Sequence, residues 1–320
     1  MIVAMCCTRN WYIYLATEVY ALFKNNDVKK LYLFIEDDEI LYLKDNRIEY
    51  INFKKLPEYI NETSPNYKTK YTQLSFLRCY FTKFLNCDKV LYIDADAIVV
   101  DNVEDLWNVD LKDNVLAGVK EPGEWSKHLN IDGMDNKYIN SGVLLMNLKE
   151  IRNQKLDDKM IELLNTNFYY YPDQDVINIV CKDKIKYISN KYNSTETTGF
   201  VENAKIVHYI RERKGWIKES PRSDIWYNYH KKMIGGNKMD NYKVKATINF
   251  DDNEHGGEHR IANKSEWYCS KERYLFLKEH NAVELIEIEK IELPKVEKPI
   301  EVKEKVEKTK TTKKKKTSKK

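Results

Sequence analysis

The sequence predicts an α/β protein built on a mixed, mainly parallel sheet. Three observations carry that prediction. Short apolar runs of strand length recur along the chain, and segments of about 10–15 residues with helical spacing alternate with them. One apolar run, Val90–Ile93 in "VLYIDADAIVVDNVEDLW", stops at two aspartates, Asp94 and Asp96. Open α/β sheets bind ligands beyond the carboxyl ends of their strands, where such acids would stand.

The elements follow in order. Ile2–Cys6 reads as a first strand, residues 8–12 as a turn, and residues 11–24 as a helix stopped by Asn25-Asn26-Asp27. Leu31–Ile35 is a second apolar strand. Residues 71–85 place Leu74, Leu77, Phe81, Phe84 and Leu85 on one helical stripe ahead of the strand Val90–Ile93. Residues 115–119 and 139–146 read as strands, 149–164 as a helix and 206–210 as a short strand. From about residue 241 the texture changes. "YKVKATINF" alternates like an exposed strand, and "SKERYLFLKEHNAVELIEIE" reads as a Ser270-capped helix, a stop at Asn281 and a strand. The division is 1–240 as the main domain, 241–292 as a small appended α+β module, and 293–320 as a tail.

The 320 residues, 42% of them apolar, allow a sizeable core. No apolar run reaches the roughly 20 residues that span a membrane. "MIVAMCCTRNWYIYL" lacks the basic start and small-residue cleavage site of a secretory signal and reads as a first strand. Six cysteines without a CxxC pair or regular spacing point to reduced thiols and a cytoplasmic protein. The net charge of +4 hides an asymmetry: residues 295–320 hold 12 Lys and 4 Glu, so the remainder carries −4. The tail lacks aromatic residues and cannot bury enough surface to offset its chain entropy, which predicts disorder. It reads first as a solvating segment, second as an arm for an anionic surface such as a membrane face. The negative remainder argues against a specific nucleic-acid partner. "HGGEH" at 255–259 reads as a polar loop, because paired glycines disfavour the helix that a two-histidine metal site would need.

Asp94 and Asp96 are two residues apart on an extended chain, so both carboxylates point the same way. Burying them costs several kcal/mol each unless they are paired or bound to a cation. Hard oxygen ligands suit Mg²⁺ or Mn²⁺, which can bridge the phosphates of a nucleotide and offset charge on a leaving diphosphate. Alone, an Asp-x-Asp more often marks a hydrated turn.

Its company changes the reading. "LYIDADAIVVDNVEDLW" resembles the metal-binding segment of the family 8 retaining glycosyltransferases, the group that includes glycogenin and bacterial lipopolysaccharide galactosyltransferases. Further segments agree in order, together spanning residues 2 to about 220. "IVAMCCTRNWYIYLATEVYAL" is similar to the opening strand and uridine loop, with Thr8, Arg9 and Tyr12 at nucleotide contacts; Tyr12 can stack on a uracil and Thr8 bond its edge. Arg78, 16 residues before Asp94, falls where relatives carry a basic residue pointing at the donor. In "DGMDNKYINSGVLLMNL", Asp132, Asn140, Ser141 and Gly142 match the sugar-contact region, where small groups let a hexose approach. In "YYPDQDVINIV", Asp173 and Gln174 match a pair flanking the reacting carbon. In "IVHYIRERKGW", His208 matches the third metal ligand, Lys214 a lysine gripping the diphosphate, and Gly215-Trp216 the motif that follows. Arg211 departs from the pattern, standing where glycogenin-like relatives have Gly.

The resemblance implies a GT-A-type nucleotide-sugar-binding fold and a metal-dependent retaining hexosyltransferase. The donor would be UDP-glucose or UDP-galactose, the cofactor Mn²⁺ or Mg²⁺, and the acceptor a glycan or protein, self-transfer and a homodimer both being open. Asp94, Asp96 and His208 would hold the metal, and Asp173, Gln174, Arg78 and Lys214 would carry catalysis. A non-catalytic nucleotide-sugar-binding protein of the same fold is the alternative. A sugar nucleotidyltransferase is disfavoured, since "CCTRNWY" lacks the glycine-rich loop such enzymes place after the first strand.

Overall fold

A computed structural model describes residues 1–41, 43–57, 60–69, 71–233, 242–252, 258–269, 274 and 277–288. The chain opens with β1 (Ile2–Cys7), a 3-10 turn (Arg9–Trp11), α1 (Tyr12–Asn25), β2 (Lys30–Ile35) and β3 (Ile48–Asn52). Next come α2 (Gln73–Phe76), a 3-10 turn (Leu77–Cys79), α3 (Phe81–Phe84), β4 (Lys89–Ile93), β5 (Ala97–Val99) and α4 (Glu104–Trp107). They are followed by β6 (Leu116–Gly118), a 3-10 segment (Gly123–Leu129), β7 (Val143–Asn147), α5 (Leu148–Asn153) and α6 (Leu156–Thr166). The main body ends with α7 (Pro172–Cys181), β8 (Ile185–Tyr187), β9 (Ile206–His208) and α8 (Ser223–Met233).

Seven strands form the central sheet in the order β3-β2-β1-β4-β7-β6-β8. The first four run parallel, β7 is antiparallel to both neighbours, and β6 and β8 are parallel. The sheet is therefore mixed, as the sequence predicts. Alternation along each strand divides the core in two. Val3, Met5, Cys7, Leu31, Leu33, Ile35, Leu91 and Ile93 face one layer, covered by α1 through Leu15, Ala16, Val19 and Leu22. Ala4, Tyr32, Phe34, Val90 and Tyr92 face the other, covered by α2, α3, α6 and α7 through Leu74, Phe76, Phe81, Met160, Leu164 and Val176. Each fully buried side chain of this size contributes about 1.5–3 kcal/mol.

Two strands stand outside the sheet and decide where the chemistry sits. β5 pairs antiparallel with β9, setting Ala97 opposite His208 and Ile98 opposite Val207. Ile98, Val207, Tyr209, Trp226 and Ala21 form a separate apolar cluster that seats this ribbon against α1 and α8.

Local form departs from the pattern in three places. The stripe at 71–85 is one helix by spacing but is α2, a 3-10 turn and α3 in the structure, so Arg78 sits in the 3-10 turn. The predicted helix at 149–164 is broken into α5 and α6 by Lys155, whose φ of 52° is left-handed. The strand predicted from 139 begins at Val143, with Ile139 making only an isolated bridge to Lys120.

C-terminal to α8 lie β10 (Tyr242–Ala246), β11 (Phe250–Asp252), β12 (Glu258–Arg260), β13 (Glu266–Cys269) and β14 (Val283–Ile288). A three-stranded sheet, β13-β10-β14, packs Val244, Ala246, Leu277, Ala282 and Val283 into its own small core, and β11–β12 is a two-stranded ribbon. Glu258 and His259 of the expected polar loop therefore lie in a strand. The Ser270 cap and the tail from 293 lie outside the described residues. Among the described residues no helix is long and apolar enough to cross a membrane, and Cys6, Cys7, Cys79, Cys87 and Cys181 are free thiols.

Candidate active site and metal centre

β4 leaves the sheet after Ile93, and the chain turns through Asp94-Ala95-Asp96 into β5. The turn is fixed by its backbone: the Asp94 N–H donates to Gly142 O (2.8 Å), the Ala97 N–H to Asp94 O (3.0 Å) and the Tyr209 N–H to Asp96 O (2.9 Å). The β5–β9 register then delivers His208, its side chain 4% exposed, to both carboxylates. Its Nε2 lies 3.2 Å from Asp96 Oδ1 and 3.7 Å from Asp94 Oδ2. One ligand atom from each of the three residues fits within a 4.8 Å set. Two carboxylate oxygens and an imidazole nitrogen suit a hard divalent cation.

Gly142 makes that approach possible. A Cβ there would lie 2.7 Å from Asp94 Oδ2 and 2.8 Å from His208 Nδ1, and would collide with Cε1 of the same ring. The space that a side chain at this position would need is taken by the Asp94 carboxylate and the His208 ring.

Charge around the pair is uneven. Burial tends to raise the Asp96 carboxyl, but the Lys214 ammonium, 2.5 Å from Oδ2, and His208 outweigh it and hold it well below the usual carboxylate range. Asp94 moves the other way: burial raises its carboxyl against the opposing Arg78, with the Asp96 charge adding to the rise. The Tyr92 hydroxyl also donates to Asp94 Oδ1.

Arg78 joins this cluster to a second. The 3-10 turn points its guanidinium inward, 5% exposed, over the Tyr92 ring. Nε donates to Ser75 O (2.9 Å), Nη1 to Ser141 O (2.7 Å) and Oγ (3.0 Å), and Nη2 to Asp94 Oδ1 (2.8 Å). Asp173 Oδ2 lies 3.3 Å from Nε and accepts the Ser141 hydroxyl at 3.1 Å. Gln174 Oε1 accepts the Ser141 N–H at 2.9 Å, and its Nε2 donates to the Tyr138 hydroxyl at 3.2 Å. Asp173 and Gln174 occupy the first turn of α7, after Pro172 at its start. The structure thus brings Asp94, Asp96, His208, Arg78, Lys214, Asn140, Ser141, Gly142, Asp173 and Gln174 into one bonded constellation.

The remaining expected residues lie around it. Thr8 precedes the 3-10 turn at the carboxyl end of β1, and Arg9 forms a two-pronged contact with Asp37 beyond β2. Tyr12 is 8% exposed, its ring in the core and its hydroxyl shared between Asp37 Oδ2 (3.0 Å) and the Glu36 N–H (2.9 Å). Gly215 packs beneath the Tyr209 and Trp226 rings, and Trp216 stacks on Tyr14 at 4.1 Å, anchoring the loop that carries Lys214. Asp132 sits on an exposed turn whose carbonyl accepts from Lys182. Arg211 adopts φ 57°, the left-handed conformation a glycine takes freely, and its guanidinium lies 4.2 Å over the Trp125 ring.

Several side chains bonded to these residues went unread in the sequence: Tyr92 and Asp37, Glu121 (to Asn140), Asn193 (to His208) and Tyr138, whose hydroxyl in turn donates to Asp175. Asp37 and Asp175 carried a usable signal, acids following a strand or inside a helix's first turn, whereas Glu121 and Asn193 lie in loops without pattern.

The sequence profile described as "Glycosyl transferase family 8" matches residues 2–220. A "putative glycosyltransferase" of Haemophilus influenzae is 27% identical over 244 residues, 64% of this chain and 70% of that protein. The lipopolysaccharide 1,2-glucosyltransferase of Escherichia coli is 28% identical over 46% of this chain and 51% of its own length; there the chain spans only about half of its relative. Among solved structures, the galactosyltransferase LgtC with donor and acceptor sugar analogs matches 72% of this chain and 96% of its own, with a TM-score of 0.52 at 19% identity. GlyE of Streptococcus pneumoniae matches 72% of this chain and 60% of its own, with a TM-score of 0.55 at 24% identity. At such identities the likeness establishes the GT-A glycosyltransferase fold.

Proposed function

This chain belongs to glycosyl transferase family 8, and from that premise we propose that it is a retaining hexosyltransferase, moving glucose or galactose from a UDP-sugar to a glycan or protein acceptor. The observation that supports this most directly is a single guanidinium, Arg78, bonded on one side to Asp94 of the acid–histidine cluster and on the other to Asp173 of the Asp173–Gln174 pair. A site for a diphosphate and a site for a reacting sugar would then be held in fixed relation.

Asp94, Asp96 and His208 would hold Mn²⁺ or Mg²⁺, which when bound supplies positive charge beside a departing diphosphate. Lys214 balances Asp96 and carries its ammonium on a flexible stem, suited to phosphate oxygens. Four N–H groups of Arg78 are spent on protein acceptors, so its part is to hold the two carboxylates in place. Such preorganisation needs no rearrangement as charge develops. Asp173, braced by Ser141 and Arg78, is the candidate nucleophile of a double displacement; Gln174 would support same-face attack instead. Thr8 and Arg9 would meet the nucleotide, and Asp132, Ser141 and Gly142 would border the sugar.

The test is a panel of nucleotide sugars with Mn²⁺, read as nucleotide release and as mass added to the protein. UDP release from UDP-glucose or UDP-galactose is expected. Asp96→Ala should lower it at least about 100-fold, a loss of about 2.7 kcal/mol in transition-state stabilisation. Unchanged release in that variant would sink the metal assignment. Donor binding without release or hydrolysis would favour the binding-protein alternative.

A further inference from the structure

A buried chain of side-chain hydrogen bonds runs from His208 away from the carboxylates, and its direction is fixed by groups that can only donate or only accept. His208 Nδ1 meets Asn193 Oδ1 at 2.8 Å; Asn193 Nδ2 donates to Asn140 Oδ1 at 2.8 Å; Asn140 Nδ2 donates to Glu121 Oε1 at 2.7 Å. Thr197 Oγ1 donates to Glu121 Oε2 at 2.8 Å and closes the far end. All four residues from His208 to Glu121 are at most 7% exposed.

Asn140 turns its NH₂ toward Glu121 Oε1, which leaves its own Oδ1 on the opposite side. The Gly142 N–H, which only donates, requires the same orientation, since it meets Asn140 Oδ1 at 2.9 Å. Asn193 must then give its NH₂ to that oxygen and its own oxygen to the histidine. A hydrogen therefore belongs on Nδ1, and with a cation held among Asp94, Asp96 and His208 the Nε2 lone pair would be the one that faces it.

We propose that Glu121 is a positioning residue for the cation: acting through Asn140 and Asn193, it selects the tautomer in which His208 Nε2 is the ligand atom. The proposal rests on the reading that Asp94, Asp96 and His208 bind a divalent cation. It also reassigns Asn140, whose amide is committed to this relay and not to a sugar hydroxyl. Glu121 is a residue that neither sequence spacing nor contact with the ligand atoms would single out.

The experiment is a Mn²⁺ titration followed by electron paramagnetic resonance, without nucleotide sugar, on the full chain and on Asn193→Leu, Glu121→Leu, the double variant and Glu121→Gln, each checked for fold by circular dichroism. Loss of an outer partner of a metal-bound histidine weakens binding about 10–100-fold. Asn193→Leu should fall in that range and Glu121→Leu near its lower end. The double variant should be no weaker than Asn193→Leu, because Glu121 acts through Asn193. Glu121→Gln should stay close to the full chain's affinity, since its oxygen can accept from Asn140 while its amide donates to Thr197. Multiplying losses in the double variant, or no loss in either single one, overturns the proposal. Should the leucine variants fail to fold, ¹⁵N-histidine spectra of the unaltered Mg²⁺-loaded protein decide: a hydrogen on Nδ1 of His208 is expected, and one on Nε2 overturns it. If the unaltered chain does not bind Mn²⁺ at all, the cation reading itself fails, which is a separate result.

Discussion

At Gly142 and at Arg211 the backbone limits what the side chain can be. At Gly142 the restriction is space. Gly142→Ala would press a methyl group against Asp94 Oδ2 and the His208 ring. One of them must move, so Mn²⁺ affinity should fall at least about tenfold, with about 1–3 kcal/mol of stability lost to overpacking. Calorimetric Mn²⁺ titration with urea unfolding checks both; retained affinity would mean that the ligands are not held by this contact. At Arg211 the restriction is conformational. A non-glycine residue in the left-handed region bears about 1–2 kcal/mol of strain, while stacking on Trp125 returns about 0.5–1 kcal/mol. Glycine and alanine both lose the stacking, and only glycine also loses the strain. Arg211→Gly should therefore be more stable than Arg211→Ala by about 0.5–1 kcal/mol in urea unfolding, after allowance for the freer unfolded chain.

The contact between α1 and α8 holds the ribbon that carries His208, and its centre is polar. Trp226 Nε1 donates to Glu18 Oε1 (2.9 Å), Thr17 Oγ1 pairs with His230 Nδ1 (2.9 Å), and Asn25 donates to the Tyr229 hydroxyl (2.9 Å). Burial, with the Asp96 charge adding to it, lifts the Glu18 carboxyl well above its ordinary range, and its Oε2 has no partner among the described residues. The folded protein thus holds the Glu18 proton more tightly than the unfolded chain does. That contribution is complete below the ordinary carboxylate range and is lost as pH rises toward the folded value. The melting temperature should accordingly fall between pH 5 and pH 8 by more in the unaltered protein than in Glu18→Gln, which keeps the Trp226 bond without the charge. Parallel profiles would clear Glu18. Elements also mark how far a sequence can be read. Strands β1, β2 and β4 were legible because apolar runs ended in turn residues or acids. The break of residues 71–85 was not, because 3.0 and 3.6 residues per turn both place Leu74 and Leu77 within about 60° of each other, so a single 3-10 turn leaves little trace in the spacing. The half-buried strand β3 alternates at Ile48 and Tyr50 but is only five residues long, and α8 has its apolar residues interrupted by polar ones. The clustering of Asp94, Asp96 and His208 was legible only through family resemblance, since no local pattern pairs Asp96 with a residue beyond 200.

At the scale of the molecule, a body of net −4 is joined to 26 residues of net +8. If the two act independently, deleting 293–320 should leave Mn²⁺ affinity and UDP release unchanged. It should also abolish any salt-sensitive retention on vesicles containing anionic lipid. Loss of UDP release on deletion would instead make the basic segment part of the catalytic unit. The β5–β9 ribbon bears on how such a protein comes into being. It joins acids that leave a ribosome early to an imidazole that emerges more than a hundred residues later. Throughout that interval β1, β2 and β4 can already associate, yet a nascent chain stalled before His208 has only the two acids and no ribbon to set their third partner. A product terminated before His208 would accordingly lack the third member of the Asp94–Asp96–His208 cluster.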